Sequence, residues 1–230
     1  MWIDDQVIKN CHKSTTILSW VPQSPIVVVG SSNQFDKECH VSHCQTDKVP
    51  MEKRYGGGGA VVLHPGCVVL SLGIWVKDYY QNQRYFCALN KAVIKHLASF
   101  WPSLGELQQN GISDIAYRGK KIAGTSLFRS RNYLLYQASI LIEDRLDLID
   151  RYLKHPSREP EYRQGKSHRQ FLSCLNQILD HPVETKEVAR SLLNDFDQYL
   201  PKDEIISPVE KQKAHLLKKI NTTGVAWVEL

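Results

Sequence analysis

The chain has 230 residues, of which 42% are hydrophobic and 23% charged, and its formal net charge is +5. A chain of this size can bury a full core, and it contains no apolar run long enough to span a bilayer. Basic residues alternate with acidic ones instead of forming a block, which disfavours a nucleic-acid partner. The six scattered cysteines and the absence of a secretory signal at the amino terminus predict a cytoplasmic protein with reduced thiols.

Strands dominate the predicted first part of the chain. Runs of β-branched and apolar residues bounded by Gly, Pro and polar residues predict strands at 16–20, 26–30, 60–63, 68–76, 115–126 and 133–142. The last of these runs is nearly all apolar, which favours a central position in a sheet.

Helices dominate the second part. Leu89, Val93, Leu97 and Phe100 recur at helical spacing and predict one buried face of a helix over 85–100. Further helices are predicted at 144–153, 169–179 and 184–199, the last with Val188, Leu192 and Phe196 spaced for one buried stripe. A short returning strand is predicted at 204–207. Early strands with later helices predict an α+β fold, a mixed or antiparallel sheet covered by helices. We see no linker or repeat and therefore predict a single domain over residues 1–230.

The segment 53–66, KRYGGGGAVVLHPG, places four consecutive glycines directly before a β-branched run. Glycine has no Cβ and tolerates positive φ, so Gly56 to Gly59 can turn sharply and present successive backbone N–H groups to an anion. Arg54 adds a cationic side chain at the entrance of this loop. A flexible hairpin turn is the other interpretation of the glycines taken alone.

Three other segments occur with this loop: VVVGSSNQFDKEC at 27–39, GISDIAYRGKKIAGTS at 111–126 and REPEYRQGKSH at 158–168. By their order and spacing the four segments resemble the lipoate-protein ligase A and octanoyltransferase family, which shares its catalytic domain with biotin protein ligases. The resemblance extends from about residue 2 to residue 227. It implies a biotin/lipoate protein ligase-like catalytic domain without the C-terminal accessory domain of two-domain ligases, and it allows for a separate accessory protein.

The activity implied by this resemblance has two stages. ATP, with Mg²⁺, activates lipoate or octanoate to an acyl-adenylate (lipoyl-AMP or octanoyl-AMP). A lysine amine of a lipoyl carrier domain then attacks the adenylate. The implied carriers are dehydrogenase E2 subunits or the glycine cleavage H protein, so the resemblance points to a ligase or acyltransferase acting on a protein, with neither nucleic acid nor membrane as partner.

The resemblance also implies roles for residues on the glycine loop and in the segment 111–126. Lys121, in KIAG, matches the family lysine and is the implied catalytic group that neutralises developing charge. Adjacent strand side chains point to opposite faces, so Lys120 is expected to face solvent. The backbone ligands expected to hold the phosphate or acyl carboxylate are Gly57, Gly58, Gly59 and Ala60.

Four further residues are expected to contact the ligand. Arg54 contacts phosphate or fixes the loop, and a surface salt bridge is its alternative. Asp114 lies where the family often has an acidic residue beside the adenylate and its magnesium, and a solvated turn aspartate is its alternative. His64 binds ligand from a strand end or is a hydrogen-bonded structural histidine. Gln137, with Ala138, stands where many relatives have His-Gly, and glutamine cannot take up charge.

A cysteine nucleophile would support a competing hypothesis, because octanoyltransferases of this family use one. Cys67 is the nearest candidate, although its apolar strand also suits a small buried residue, and Cys174 reads as core. One alternative is therefore a cysteine-dependent octanoyl or lipoyl transferase. A second, suggested by Gln137 and Ala138, is a non-catalytic homologue that binds ligand or carrier.

The cluster CHVSHC at 39–44 contains two thiols and two imidazoles within six residues. Structural zinc sites usually pair ligands from two separated clusters. No second cluster lies at the usual distance unless Cys11 and His12 fold nearby. We therefore predict an ordinary helix here.

Overall fold

The computed structural model describes residues 7, 15–78, 81–130 and 132–207, together with the backbone of 217–220 and 226–229. Its strands are β1 (Thr16–Trp20), β2 (Ile26–Val29), β3 (Met51–Lys53), β4 (Ala60–Leu63), β5 (Cys67–Trp75), β6 (Gln108–Asn110), β7 (Asp114–Tyr117), β8 (Lys120–Ser130), β9 (Tyr133–Leu141), β10 (Leu217–Ile220) and β11 (Ala226–Glu229). Its α-helices are α1 (Phe35–Glu38), α2 (Val41–Thr46), α3 (Asn82–Phe100), α4 (Leu146–Tyr152), α5 (His168–Phe171) and α6 (Thr185–Asp195). Short 3-10 helices span Pro102–Glu106, Glu161–Arg163, Leu175–Gln177 and Phe196–Tyr199.

Eight of the strands form one large sheet in the order β10-β11-β1-β5-β9-β8-β7-β6, and all its neighbouring pairs are antiparallel. Strand β9, the apolar run predicted to be central, lies between the long strands β5 and β8. A second sheet has the order β3-β2-β4, with a parallel and an antiparallel pair. The α+β class and the mixed or antiparallel sheet are confirmed.

The long helices cover one face of the large sheet. Residues of α3 and α6 pack in one buried cluster with alternate residues of β5 and β9 and with Ile122 and Ala123 of β8. The predicted stripe of α6 is correct, since Val188, Leu192 and Phe196 are all buried. On α3 the prediction fails at the last position, because Phe100 is 44% exposed at the end of the helix, where it stacks on Trp101.

The small sheet lies over the opposite face of the large sheet. Residues of β1, β5 and β9 share a buried cluster with residues of β2 and β4, and the other side of β2 and β4 packs against α2, α4 and α5. The layers are therefore long helices, large sheet, small sheet and short helices. Alternation along β9 sends Tyr136 and Ile140 toward the long helices, while Gln137 and Leu141 face the small sheet.

The predicted helix over 169–179 is wrong in its middle. Helix α5 ends at Phe171, and the next residues are extended because the Ser173 N–H donates to the Lys121 carbonyl at 3.0 Å. Leu172 forms a parallel bridge with Lys121 in the same place. Pairing with the start of β8 therefore overrides the local helical pattern and ties this segment to the candidate lysine.

The carboxyl-terminal part of the chain also differs from the prediction. Instead of a strand at 204–207, Ile206 forms a single antiparallel bridge with Val76, and the Ser207 N–H donates to Trp75. The unpredicted hairpin β10–β11 extends the large sheet beyond β1. Its pairing partner lies about two hundred residues earlier, so no local pattern indicates it.

The helix predicted for the cluster at 39–44 begins only at Val41, and Cys39 instead forms an antiparallel bridge with Leu153. Cys39 and Cys44 are both buried. The described residues contain no group of three or more His, Cys, Asp and Glu side chains arranged to hold a metal ion. Cys11 and His12 lie outside the described residues. In the part of the chain that the structure describes, no helix combines the length and apolarity that a membrane span requires.

Candidate functional site

A cavity of about 630 Å³ lies between the two sheets. One part of its wall is apolar and includes Trp20, Val28, Val69 and Leu153. Another part carries charged and polar groups from the glycine loop, from β7 and β8, and from residues 154–168. Because the described residues combine apolar wall with convergent polar groups here, this cavity is the candidate site.

The glycine loop borders the cavity through Gly58, Gly59 and Ala60. Carbonyl oxygens of the loop accept hydrogen bonds from the protein. The Gly56 oxygen accepts from the Ser31 N–H at 3.0 Å, and the Gly59 oxygen accepts from the Gly30 N–H at 3.2 Å. The Gly58 oxygen accepts from the Asn33 side chain at 3.0 Å. A trans peptide unit holds its N–H and C=O on opposite sides, so the N–H groups that follow these carbonyls point away from their anchors. The loop can thus present N–H groups to an anion in the cavity.

Arg54 fixes this loop. Its Nη2 donates to the Gly57 oxygen at 2.7 Å and to the Gly59 oxygen at 2.9 Å, and its Nε donates to Gly57 at 3.2 Å. Of the two roles expected for Arg54, the structure displays that of holding the loop. Gly30 is the second determinant, because a Cβ on it would lie 2.0 Å from the Gly58 oxygen. Only glycine allows strand β2 to approach the loop so closely.

Lys121, the second residue of β8, lines the cavity, while Lys120 is exposed, as the alternation predicted. The Lys121 Nζ lies 2.7 Å from Asp114 Oδ1, and both side chains are largely buried. A β-bulge makes this arrangement possible: the β7–β8 register shifts between Ile115 and Ala116. Lys121 then folds toward Gly124, where a Cβ would lie 3.0 Å from Nζ.

The second oxygen of Asp114 is also occupied. The Tyr162 hydroxyl donates to Asp114 Oδ2 at 2.8 Å. We call Asp114, Lys121 and Tyr162 the cavity trio. Burial, followed by the charge of Asp114, raises the pKa of Tyr162, so the phenol retains its proton and remains a donor. Tyr162 itself is absent from the cavity wall, so it acts on the site through Asp114.

Neighbouring residues hold Tyr162 in place. Its ring packs on Phe171 with centroids 5.0 Å apart, and the Arg163 guanidinium lies 4.8 Å from the same ring. Arg163 is only 5% exposed and pairs with Glu159 at 3.5 Å. Burial lowers the pKa of this guanidinium. The segment 156–166 is thereby docked as one wall of the cavity.

Gln137, His64 and Cys67 occupy different environments. Gln137 lines the cavity and donates to the Ser71 hydroxyl at 3.2 Å. His64 is fully buried outside the cavity wall, its Nδ1 accepts from the Gly66 N–H at 3.1 Å, and burial lowers its pKa to about 4. These contacts are those of the structural histidine that was the alternative, and a ligand role for His64 stays a prediction.

Cys67 borders the cavity from the start of β5, but its side chain is fully buried. Burial raises the pKa of the thiol to about 12. Since the thiolate is the nucleophilic form, this environment opposes nucleophilic catalysis. Cys174 is buried outside the cavity wall, as the core interpretation expected.

The described side chains do not provide a carboxylate set for Mg²⁺. Asp114 is the one predicted ligand, and its two oxygens lie at 2.7 Å from Lys121 and 2.8 Å from Tyr162. A metal held by this carboxylate would have to displace a partner. We therefore derive no step through a metal ion.

Sequence reasoning had pointed to Lys121, Asp114 and the glycine loop, and the structure brings these together around one cavity. It assigned no role to Tyr162, Gly30 or Asn33. All three lie in segments that the resemblance already singled out. Their contacts join residues 25 to 48 positions apart, so only their presence in those segments could have indicated them.

The chain is similar to known lipoate-protein ligases. The Bacillus subtilis lipoate-protein ligase LplJ is 23% identical over 192 residues, which cover 83% of this chain and 56% of LplJ. The chain thus spans little more than half the length of this relative. Subunit 1 of the Thermoplasma acidophilum lipoate-protein ligase A is 25% identical, over 80% of this chain and 72% of that protein.

A solved structure has the same fold. It is that of a bi-partite archaeal lipoate protein ligase from Thermoplasma acidophilum, described with its E2 lipoyl domain. The match has a TM-score of 0.70 and 22% identity, and covers 85% of this chain and 76% of that one. Finally, residues 1–197 match the family described as the lipoyl protein ligase A/B catalytic domain. The chain belongs to this lipoyl protein ligase A/B family.

Proposed function

We propose that the chain transfers a lipoyl or octanoyl group from its adenylate to a lysine of a lipoyl carrier domain. One observation carries the proposal beyond family membership: the Lys121 ammonium and the anchored glycine loop border the same partly apolar cavity. A ligand with an apolar chain, a reactive carbonyl and a phosphate requires these features together.

Each part of the site has a task in this reaction. The apolar wall around Trp20 and Val69 takes the acyl chain. The N–H groups from Gly58 to Ala60 bind phosphate or carboxylate oxygens. When the carrier amine attacks the carbonyl carbon, a new C–N bond forms, and Lys121 moves from Asp114 to the negative charge that develops on the carbonyl oxygen. AMP then leaves with the electrons of the C–O bond, and the proton that the amine loses passes to solvent.

The formation of the adenylate is the second part of the proposal. ATP supplies the adenylyl group when bound. Two cavity-lining cations are the candidate phosphate contacts: Arg158, within the docked segment 156–166, and Lys154, just before it. Carrier domains from dehydrogenase E2 subunits or from the glycine cleavage H protein are the proposed acceptors. A separate accessory protein is the proposed partner if this chain does not form the adenylate unaided.

The test is the intact mass of a purified apo lipoyl domain after incubation with the chain. One reaction contains ATP, Mg²⁺ and lipoate, and the other contains preformed lipoyl-adenylate. A lipoyl mass gain in both identifies a complete ligase, and a gain only with the adenylate identifies a transferase that needs a partner. No gain with lipoyl or octanoyl donors would contradict the proposal.

A non-catalytic homologue is the second candidate, and Gln137 in the cavity wall favours it. A glutamine in place of the histidine of many relatives cannot handle a proton. In that case lipoyl-adenylate would bind, as measured by calorimetry, with no mass gain on any carrier. Substituting Gln137→His would then be the variant to assay for restored transfer.

A further inference from the structure

The cavity trio divides the two oxygens of one carboxylate between two donors. Lys121 takes Oδ1 at 2.7 Å and the Tyr162 hydroxyl takes Oδ2 at 2.8 Å. Asp114 is only 7% exposed, so water cannot replace either partner freely. A carboxylate held at both oxygens has its plane fixed, and the direction from Oδ1 to Nζ is fixed with it.

Tyr162 comes to Asp114 from a different part of the fold. Asp114 begins strand β7, whereas Tyr162 lies in the 3-10 turn Glu161–Arg163 of the docked segment. The Tyr162 ring lies against Phe171 and next to Gly111, where a Cβ would be 3.6 Å from ring atom Cε1. The position of the hydroxyl is thus set by the packing of the Tyr162 ring against Phe171 and Gly111.

We propose that Tyr162 is a positioning residue: its hydroxyl fixes the Asp114 carboxylate, and this carboxylate holds the Lys121 ammonium toward the cavity. The proposal deepens the proposed transfer reaction and rests on it for the catalytic consequence. Tyr162 does not border the cavity, so it acts without touching the ligand. By donating to Asp114, the hydroxyl also stabilises the negative charge of this carboxylate. The carboxylate therefore retains one partner when Lys121 moves from it to a ligand oxygen.

The chain contains a matched control for this arrangement. Where the end of α2 meets α4, Asp47 accepts from the Tyr152 hydroxyl at 2.9 Å and pairs with Arg151 at 2.5 Å. We call these three residues the outer trio. None of them borders the cavity. Tyr152→Phe therefore removes the same kind of hydrogen bond, from the same residue type, outside the cavity wall.

The experiment compares Y162F with Y152F by two measurements. The first is single-turnover transfer from preformed lipoyl-adenylate to an apo lipoyl domain. We expect Y162F to lower the maximal rate about tenfold, the factor for one hydrogen bond to a charged group, with the half-saturating carrier concentration nearly unchanged. Y152F should transfer at the wild-type rate.

The second measurement needs no activity. Limited acetylation with acetic anhydride, read by peptide mass spectrometry, reports the accessibility of the Lys121 amine relative to its exposed neighbour Lys120. Loosening of Asp114 in Y162F should raise the labelling of Lys121 about threefold, with no change in Y152F. Phe at 162 retains the ring contact with Phe171, so melting temperatures should stay close to that of the wild type.

Unchanged Lys121 labelling in a folded Y162F protein would overturn the proposal. A Y162F chain that does not fold would overturn it as well, because the hydroxyl would then serve the fold and not the lysine. If the wild type itself transfers no acyl group, the proposed function fails, while the labelling result still decides the role of Tyr162.

Discussion

The cavity trio and the outer trio contain the same kinds of group, an aspartate shared by a cation and a tyrosine, in two different settings. In the outer trio the cation is Arg151, whose Nε and Nη2 grip both oxygens of Asp47 at 2.5 and 2.8 Å. Contacts with Arg151 and then Tyr152 lower the pKa of Asp47 to about 2. This two-point grip joins the end of α2 to α4 and suits a permanent link.

The cavity trio has a lysine in place of the arginine. Lys121 reaches only one oxygen of Asp114, and tyrosine occupies the other. A lysine ammonium is a point charge on a flexible stem, so it can exchange one oxygen partner for another more readily than a guanidinium fork. An arginine therefore suits a structural clamp, whereas a lysine suits a charge that must move to a ligand.

Removing the cation should separate the two trios most strongly. Lys121→Met keeps the length of the side chain but removes the charge, and we expect transfer to fall roughly 10²–10³-fold, as for loss of one oxyanion-stabilising donor. Arg151→Met should leave transfer unchanged. Rates of lipoyl mass gain on a carrier domain measure both, and equal losses in the two variants would break the comparison.

Neutralising the shared carboxylate is the next test. Asp114→Asn preserves shape but removes the charge that holds Lys121, and loss of a charged hydrogen bond corresponds to about a 10- to 100-fold lower rate. Asp47→Asn is the matched substitution and should leave the rate intact. An Asp114→Asn protein as active as the wild type would show that Lys121 needs no partner.

A third pair of variants, Gly30→Ala and Gly57→Ala, tests the backbone of the glycine loop. In Gly30→Ala the new Cβ would meet the Gly58 oxygen at 2.0 Å, so the loop must shift. We expect transfer to fall about tenfold and the free energy of unfolding to drop by about 1–3 kcal/mol. Gly57→Ala is the control, because a Cβ there meets nothing within 4 Å. Urea unfolding and transfer assays measure the two effects.

The pH dependence of stability should distinguish buried histidines from the outer trio. Burial lowers the pKa of His64 and of His96 from 6.5 to about 4. Between these values the unfolded chain binds more protons than the folded one, so the free energy of unfolding falls as the pH drops from about 6.5 to 4. The contribution of Asp47 is present above pH 3.8 and is lost only as the pH falls further, toward 2.

Urea unfolding at pH 7, 5.5 and 4.5 checks this order. His96→Gln should flatten the dependence, whereas substitution of the exposed His181 by Gln should not. A His96→Gln protein whose stability depends on pH as steeply as that of the wild type would contradict the assignment.

The smallest effect is expected at Cys67. The buried thiol has a pKa of about 12, so Cys67→Ala should transfer lipoyl groups at nearly the wild-type rate. Single-turnover assays with lipoyl-adenylate measure this. Loss of transfer, together with a thioester mass on the wild-type chain, would instead establish the cysteine-dependent route.

Local patterns predicted much of the fold. The strand boundaries of β1 and β4 follow directly from β-branched runs between turns, and the stripe Val188, Leu192 and Phe196 follows from helical spacing. These features depend on neighbours in sequence. The break after Phe171 and the exposure of Phe100 could not be predicted, because each depends on what lies next to the residue in space.

The chemical groups available at the site can be identified from the sequence alone: a glycine loop able to present N–H groups, and Lys121 with Asp114 in one short segment. How these groups are arranged around the cavity depends on the packing of distant segments. The β-bulge turns Lys121 toward Gly124 and Asp114, Gly30 brings β2 against the loop, and Tyr162 reaches Asp114 from 48 residues away. Sequence spacing fixes which face of a strand a residue occupies, whereas contacts between distant segments depend on the packing of the whole chain.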